Sequence, residues 1–257
     1  MNRLTPLLLL TAMIWLSSCA QEDEMPMPEP ESHSCLLKRE TIEYDLGSII
    51  KEYHYERDTQ LVLVTEFYDD DPQQVDTINK VEWENGLVKY FYEGGIEVHF
   101  EWNGTLLSKA KVRNGREFSY FFSPNGQLSQ INVQYPPNWS LPRPATFQLL
   151  WESGNIVEME ARDENDALMY VDRMTYDDKN NPFSVYSYMK FGLDPTDAAY
   201  TLSKNSMQTI TRSTYENGEI QGQEVKYSVN FRYNEFDYPE AIVFQYGEIV
   251  LSYTDCR

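Results

Sequence analysis

Residues 81–90 read Val-Glu-Trp-Glu-Asn-Gly-Leu-Val-Lys-Tyr. Asn85-Gly86 tolerates the positive φ angles that a two-residue hairpin turn demands, and the apolar alternation on either side suits a half-buried pleated strand. The unit recurs. Phe100-Glu101-Trp102 leads through Asn103-Gly104 to Leu106 and Leu107. Tyr120-Phe121-Phe122 leads through Pro124-Asn125-Gly126 to Leu128 and Ile131. Leu149-Leu150-Trp151 leads through Ser153-Gly154-Asn155 to Ile156 and Val157. Tyr215-Glu216-Asn217-Gly218 and Phe231-Arg232-Tyr233-Asn234 reopen the pattern later. Trp83 and Trp102 are 19 residues apart and Trp102 and Phe122 are 20, about one hairpin per step, whereas Phe122 to Trp151 takes 29. The repeat is degenerate, and it predicts an all-β chain of successive antiparallel hairpins. Trp83, Trp102 and Trp151 hold equivalent places and are expected to pack as core or cross-strand partners.

Two stretches interrupt the hairpins. Residues 135–144, Tyr-Pro-Pro-Asn-Trp-Ser-Leu-Pro-Arg-Pro, form a loop that no central strand could contain. Asp194-Pro195-Thr196-Asp197 offers a capping residue followed by proline at the first helical position, which predicts one short helix near 194–204.

The chain opens Met1-Asn2-Arg3, then runs apolar from Leu4 to Trp15, too briefly to span a bilayer. Leu16-Ser17-Ser18-Cys19 follows and resembles the lipobox of bacterial lipoproteins, which implies that Cys19 is acylated and anchors the protein to the membrane. The expected organisation is a signal peptide and lipobox over 1–19, an acidic, proline-rich tether over 20–34 and a single β domain over 35–257. Glu22-Asp23-Glu24 resembles the signal that sends Bacteroidota lipoproteins to the outer face of the outer membrane; the alternative is a solvated spacer. Met25 to Ser32, with three prolines, reads as an extended tether.

Lipid claims one of three cysteines. An exported chain meets an oxidising compartment, so Cys35 and Cys256 are expected to form a disulfide, with two free thiols as the alternative. Such a bond brings the ends of the domain together. The sheet must then coil or close into a barrel- or sandwich-like form rather than march away as an open ribbon.

The formal charge is −20, from 21 basic and 41 acidic residues. Phosphate backbones need cationic surface, so nucleic acid is not an expected partner. Histidine chemistry has little material: His33 ends the tether, and His54 and His99 fall in separate strands. No Gly-x-Ser-x-Gly or phosphate-binding glycine loop occurs, and no cofactor is expected. Asp69-Asp70-Asp71 and Asp163-Glu164-Asn165-Asp166 are either calcium ligands or solvated turns.

Tyr120 to Leu128, and Phe231-Arg232-Tyr233-Asn234 through Pro239 and Ile242, resemble divergent YD-type (RHS-like) repeats. Tyr176 to Phe183, Leu202-Ser203-Lys204-Asn205 and Tyr253 through Cys256 resemble a Bacteroidota outer-membrane lipoprotein family of unknown function. The resemblance implies lineage and fold and brings no activity with it.

One aromatic pair stands apart. Trp139 and nearby Tyr135 lie among prolines, either as an exposed platform for a sugar ring or as a plug over the sheet edge. The leading functional reading is a surface-exposed, lipid-anchored envelope protein without catalysis, which binds a glycan, peptide or partner protein or serves as an accessory subunit. The alternative is a carboxylate-based polysaccharide hydrolase, which needs two facing carboxyl groups, one in an apolar setting.

Overall fold

A computed structural model describes residues 35–44, 47–57, 60–139, 143–186, 195–244 and 247–254, apart from the side chains of residues 185 and 186. Cys19, Glu22 to Glu24, the tether, His33, Asp194 and Cys256 lie outside the described residues.

The chain is all-β. The first strands are β1 (Leu36–Tyr44), β2 (Gly47–Glu56), β3 (Gln60–Tyr68), β4 (Asp71–Glu84), β5 (Leu87–Glu93) and β6 (Ile96–Asn103). Next come β7 (Leu106–Val112), β8 (Glu117–Phe122), β9 (Leu128–Gln134), β10 (Thr146–Glu152), β11 (Asn155–Arg162) and β12 (Leu168–Asn180). A 3-10 turn (Pro182–Tyr186) and the helix α1 (Asp197–Leu202) interrupt the meander. It resumes with β13 (Asn205–Glu216), β14 (Glu219–Ser228), β15 (Asn230–Tyr233), β16 (Pro239–Phe244) and β17 (Gly247–Thr254).

From β1 to β14 each strand pairs antiparallel with the next, as do β15, β16 and β17. The last strand returns to the first, with Leu36 opposite Thr254 and Ile42 opposite Ile249. One 17-stranded sheet thus nearly closes into a barrel, the coiled or closed form that the sequence leads one to expect. No pairing joins β14 to β15 among the described residues. Only Val229 separates them; it is buried, and its N–H donates to the Gln208 carbonyl of β13. β14 and β15 are therefore two halves of one strand bent at Val229, the first half on β13 and the second on β16. Counting them as one leaves sixteen strands, and only an even number lets an antiparallel ring close.

Alternation sets the two faces. Val98 and Phe100 of β6, Ala110 and Val112 of β7, Phe118 and Tyr120 of β8, and Ile131 and Val133 of β9 point inward and are buried. Glu97, His99, Glu101, Lys109, Lys111, Glu117 and Gln134 alternate with them and point outward. A round ring of sixteen strands about 4.8 Å apart would have a backbone diameter of about 24 Å before any strand tilt. Phe91, Phe118 and Ile131 are nonetheless 0% exposed, so side chains fill the interior. The excursion from Asn181 to Lys204 supplies part of the filling. Phe183, Ala198 and Ala199 join the core, the 3-10 turn packing on β1 and the helix on β11.

That excursion corrects one reading. The helix begins at Asp197, not at Pro195, which sits in the preceding turn and accepts a hydrogen bond from Ala198 N–H at 3.1 Å. Thr196 makes no side-chain cap. The segment is held by tertiary bonds instead of helix signals. The Asn181 amide donates to the Tyr200 and Ser203 carbonyls, both at 2.8 Å, while its oxygen accepts from Phe183 N–H at 2.9 Å. Asn155 and Asn205 bond each other twice, and Ser203 Oγ accepts from Ile156 N–H at 3.0 Å.

The hairpin repeat has a physical signature. Glu82 faces Tyr90 but Trp83 faces Val88, so Lys89 is an extra residue, a β-bulge beside the turn. The same step falls at Tyr55, Trp102, Phe122, Trp151, Tyr215 and Tyr233. At most of these places the aromatic donates to a carbonyl at the start of the preceding strand. Tyr55 Oη reaches Leu37 at 2.7 Å, Trp83 Nε1 reaches Leu61 at 2.8 Å, and Trp102 and Trp151 reach Val88 and Leu128 at 2.7 Å. Tyr176 to Ile156 and Tyr253 to Pro239 obey the same rule. These donors line one rim of the barrel, the rim where β1 begins. The opposite rim carries the connections β7–β8, β9–β10 and β11–β12.

Candidate functional site

On that opposite rim a cleft of about 880 Å³ opens against the outer face of the sheet. Its floor is polar because it uses outward positions of β7, β8 and β9. Lys109 faces Ser119, and Ser119 faces Asn132, in one continuous cross-strand row. The next row sets Glu117 opposite Gln134.

One wall is the proline-rich loop, which carries Tyr135, Pro136, Trp139 and Arg143. Tyr135 Oη donates to the Pro144 carbonyl at 3.0 Å, pinning the two ends of the loop. The rings of Tyr135 and Trp139 lie 5.2 Å apart at 30°. The Arg143 guanidinium stacks on Trp139 with its carbon 3.7 Å from the ring centroid, and Arg116 approaches the same ring at 5.8 Å. The loop rests on the β7–β8 turn at Gly115. There φ is +88°, and a Cβ would lie 2.9 Å from Pro136 Cγ.

The opposite wall is the β11–β12 turn, with Asp163, Glu164 and Asn165. Asp163 Oδ1 accepts the N–H groups of Asn165 and Ala167 at 2.8 and 2.9 Å, so its carboxylate shapes the turn. The Ala145 N–H donates to the Arg162 carbonyl at 2.6 Å, which holds the two walls side by side.

The structure thus brings Tyr135 and Trp139 together, half-buried, and places the 163–165 turn across the cleft from them. It keeps the other candidates apart. His54 is exposed and bonded to Thr65 Oγ1 at 3.1 Å, while His99 stacks on Tyr90 at 4.9 Å on the outer face. Asp69 Oδ1 accepts Ser48 N–H at 3.1 Å in a separate turn. Among the described residues no three His, Cys, Asp or Glu side chains gather where they could hold a metal ion. Lys109, Ser119, Asn132, Gln134 and Arg143 escaped the sequence reading. Alternation marks four of them as outward-facing, but only the fold gathers them.

Fold and site define a nearly closed antiparallel barrel with a filled interior and a polar, aromatic-walled cleft on its outside. No protein-family model matches the chain, and no curated protein sequence matches it. Solved structures do share the fold. A porin-like protein from Bacteroides vulgatus is 12% identical with a TM-score of 0.52, the match covering 86% of this chain and 99% of that one. A porin-like protein from Bacteroides uniformis is 8% identical with a TM-score of 0.50, covering 84% and 95%. At these identities the likeness concerns fold alone.

Proposed function

We propose that this protein is a non-catalytic lipoprotein of the outer membrane, anchored through acylated Cys19 and tethered by residues 20–34, whose barrel presents a glycan-binding cleft to the cell exterior. The observation that carries the reading is the juxtaposition of Tyr135 and Trp139 with the side-chain amides and hydroxyl of Asn132, Gln134 and Ser119. Aromatic faces take the apolar face of a sugar ring, and neutral amides and hydroxyls match its hydroxyl groups. The volume lies within the roughly 300–1,000 Å³ of small-ligand sites, enough for a short stretch of saccharide. Binding is favoured over hydrolysis because Glu117 and Glu164 are exposed and Asp163 is engaged by its own turn. None of them occupies the apolar setting that a general acid needs.

The rims support this orientation. The chain reaches β1 at Leu36, on the rim of aromatic donors, and the cleft opens on the other. Entry of the tether at the rim away from the cleft is what supports a cleft that faces the cell exterior. A Cys35–Cys256 disulfide would fasten the closing strand pair, and the pairing of Leu36 with Thr254 supports it; non-reducing mass spectrometry should find the two peptides linked.

The functional test is a glycan array probed with the full-length protein, with reducing ends assayed after incubation. Retention of a glycan that Trp139→Ala abolishes, without new reducing ends, is the expected outcome. Release of reducing ends would install the hydrolase instead.

A further inference from the structure

We infer that the cleft takes an acidic saccharide, one bearing carboxylate groups as uronic acids do, in preference to a neutral one. This rests on the glycan-binding reading above and deepens it. In a chain with 41 acidic and 21 basic residues, most of the described lysines and arginines pair with a carboxylate. Lys80, Lys89, Arg162, Arg212 and Arg232 each hold a carboxylate at 2.6 to 2.9 Å. Lys109 and Arg143 both line the cleft without an ion pair among the described residues, because Glu101, which faces Lys109 across the ladder, is bonded instead to Lys111 at 2.5 Å.

Both are placed for a ligand. Arg143 is held over the rings of Trp139 and Tyr135, its guanidinium carbon 3.7 and 5.3 Å from their centroids, and a guanidinium carries five N–H donors. Lys109 lies in the row that runs from Glu101 through Ser119 to Asn132. The acids of the cleft are less available. Glu117 faces Lys111 across the ladder, Asp163 is committed to two backbone N–H groups, and Glu164 sits at the exposed tip of its turn.

The energetic argument is desolvation. A saccharide that fills the cleft strips water from Lys109 and Arg143. A neutral sugar returns only hydroxyl acceptors, whereas a carboxylate returns charge-assisted hydrogen bonds. Carboxylates along such a saccharide would meet Arg143 and Lys109, and its hydroxyls would meet Ser119, Asn132 and Gln134.

The experiment is calorimetric titration of the full-length protein with oligogalacturonate and with the same oligomer fully methyl-esterified, which keeps the rings and removes the charge. The acid form should bind at least about tenfold more tightly, the loss expected when one charge-assisted hydrogen bond goes unmade. Lys109→Gln, which disturbs no stacked ring, should erase much of that preference. Arg143→Gln should do the same, and Arg143→Lys should restore part of it. Equal binding of the two oligomers, or a preference unchanged by both Gln variants, overturns the inference and leaves glycan binding standing. Failure of both oligomers and of every neutral glycan on the array removes the glycan reading and this inference together.

Discussion

Asn181 is the point where the fold should be easiest to break with a single substitution. It is 5% exposed, and its side chain makes three hydrogen bonds inside the 181–204 excursion. Asn181→Ala removes all three. The Tyr200 and Ser203 carbonyls and the Phe183 N–H then lose the partners that Asn181 supplied. At about 1 kcal/mol net per bond the loss is about 3 kcal/mol, and more where a stranded group stays dry. For a domain of this size about 1 kcal/mol moves the melting temperature by about 2–4 °C, so the variant should melt about 6–12 °C lower.

The neighbouring position is an internal control. Asn180 donates one side-chain bond, to the Phe236 carbonyl at 3.2 Å in an exposed setting, so Asn180→Ala should cost no more than about 1 kcal/mol. Asn181→Asp keeps the oxygen that accepts from Phe183 but turns an oxygen toward two carbonyls, and it should be no better than alanine. Differential scanning calorimetry of the three variants decides the matter. A shift for Asn181→Ala no larger than that for Asn180→Ala would mean that the excursion is held by the apolar contacts of Phe183, Ala198 and Ala199 alone.

Other perturbations probe the cleft and the electrostatics. Gly115→Ala should lose about 1–2 kcal/mol to its left-handed backbone and more to the Pro136 contact. Gly126→Ala, with φ +81° and nothing within 4 Å, should show the backbone strain alone, and equal destabilisation in chemical denaturation would refute the contact. Burial pushes the Asp177 carboxyl above the usual carboxylate range, and Tyr233 Oη donates to it. A raised value in the fold means that its contribution grows as pH falls and is lost as pH rises through that value. The stability of wild type relative to Asp177→Asn should therefore increase from neutral pH toward about pH 4; the opposite slope would deny the burial effect. In vesicles carrying the anchored protein, a fluorophore at Asn165 should transfer less energy to acceptor lipids than one at Asn125, on the opposite rim. Equal transfer would contradict the outward cleft.

The turn chemistry made most of the architecture legible. Asn85-Gly86 and Asn217-Gly218 take positive φ at both residues, the property that their side chains advertise. The aromatic before each turn was legible as a repeat, but its hydrogen-bond acceptor was not. Trp83 reaches Leu61 and Trp102 reaches Val88 only because the ladder register sets those carbonyls beside them. The helix start was misplaced because Pro195 was weighed as a local signal, whereas Asn181, Ser203 and Asn155 position that segment across dozens of residues. At the cleft, Tyr135 and Trp139 stood out by composition. The 163–165 turn stood out separately as a cluster of acids. Nothing local joined them; the join is the β10–β11 pairing, which sets Ala145 against Arg162. Arg143 looked like an ordinary loop charge until its ring partner was known.

The likeness to porin-like proteins sharpens the argument when the two faces of the wall are compared. A barrel that spans a membrane turns an apolar band to the lipid and a polar surface to the lumen. Here the order is reversed, with Phe91, Phe100, Phe118, Ile131 and Met159 inside and fully or almost fully buried. Lys80, Glu82, Glu101, Lys111 and Glu160 point outward, many of them paired across the surface. A charged residue on a lipid-facing strand costs about 2–4 kcal/mol near the bilayer midplane, so a wall carrying this many belongs in water. The filled interior points the same way, since Phe183, Ala198 and Ala199 occupy space that a channel would leave to solvent. A barrel of this kind would hold to a membrane only through something attached to it, the role proposed above for Cys19. Its outer wall is then free to carry a ligand site, and the cleft lies on that wall rather than in the lumen.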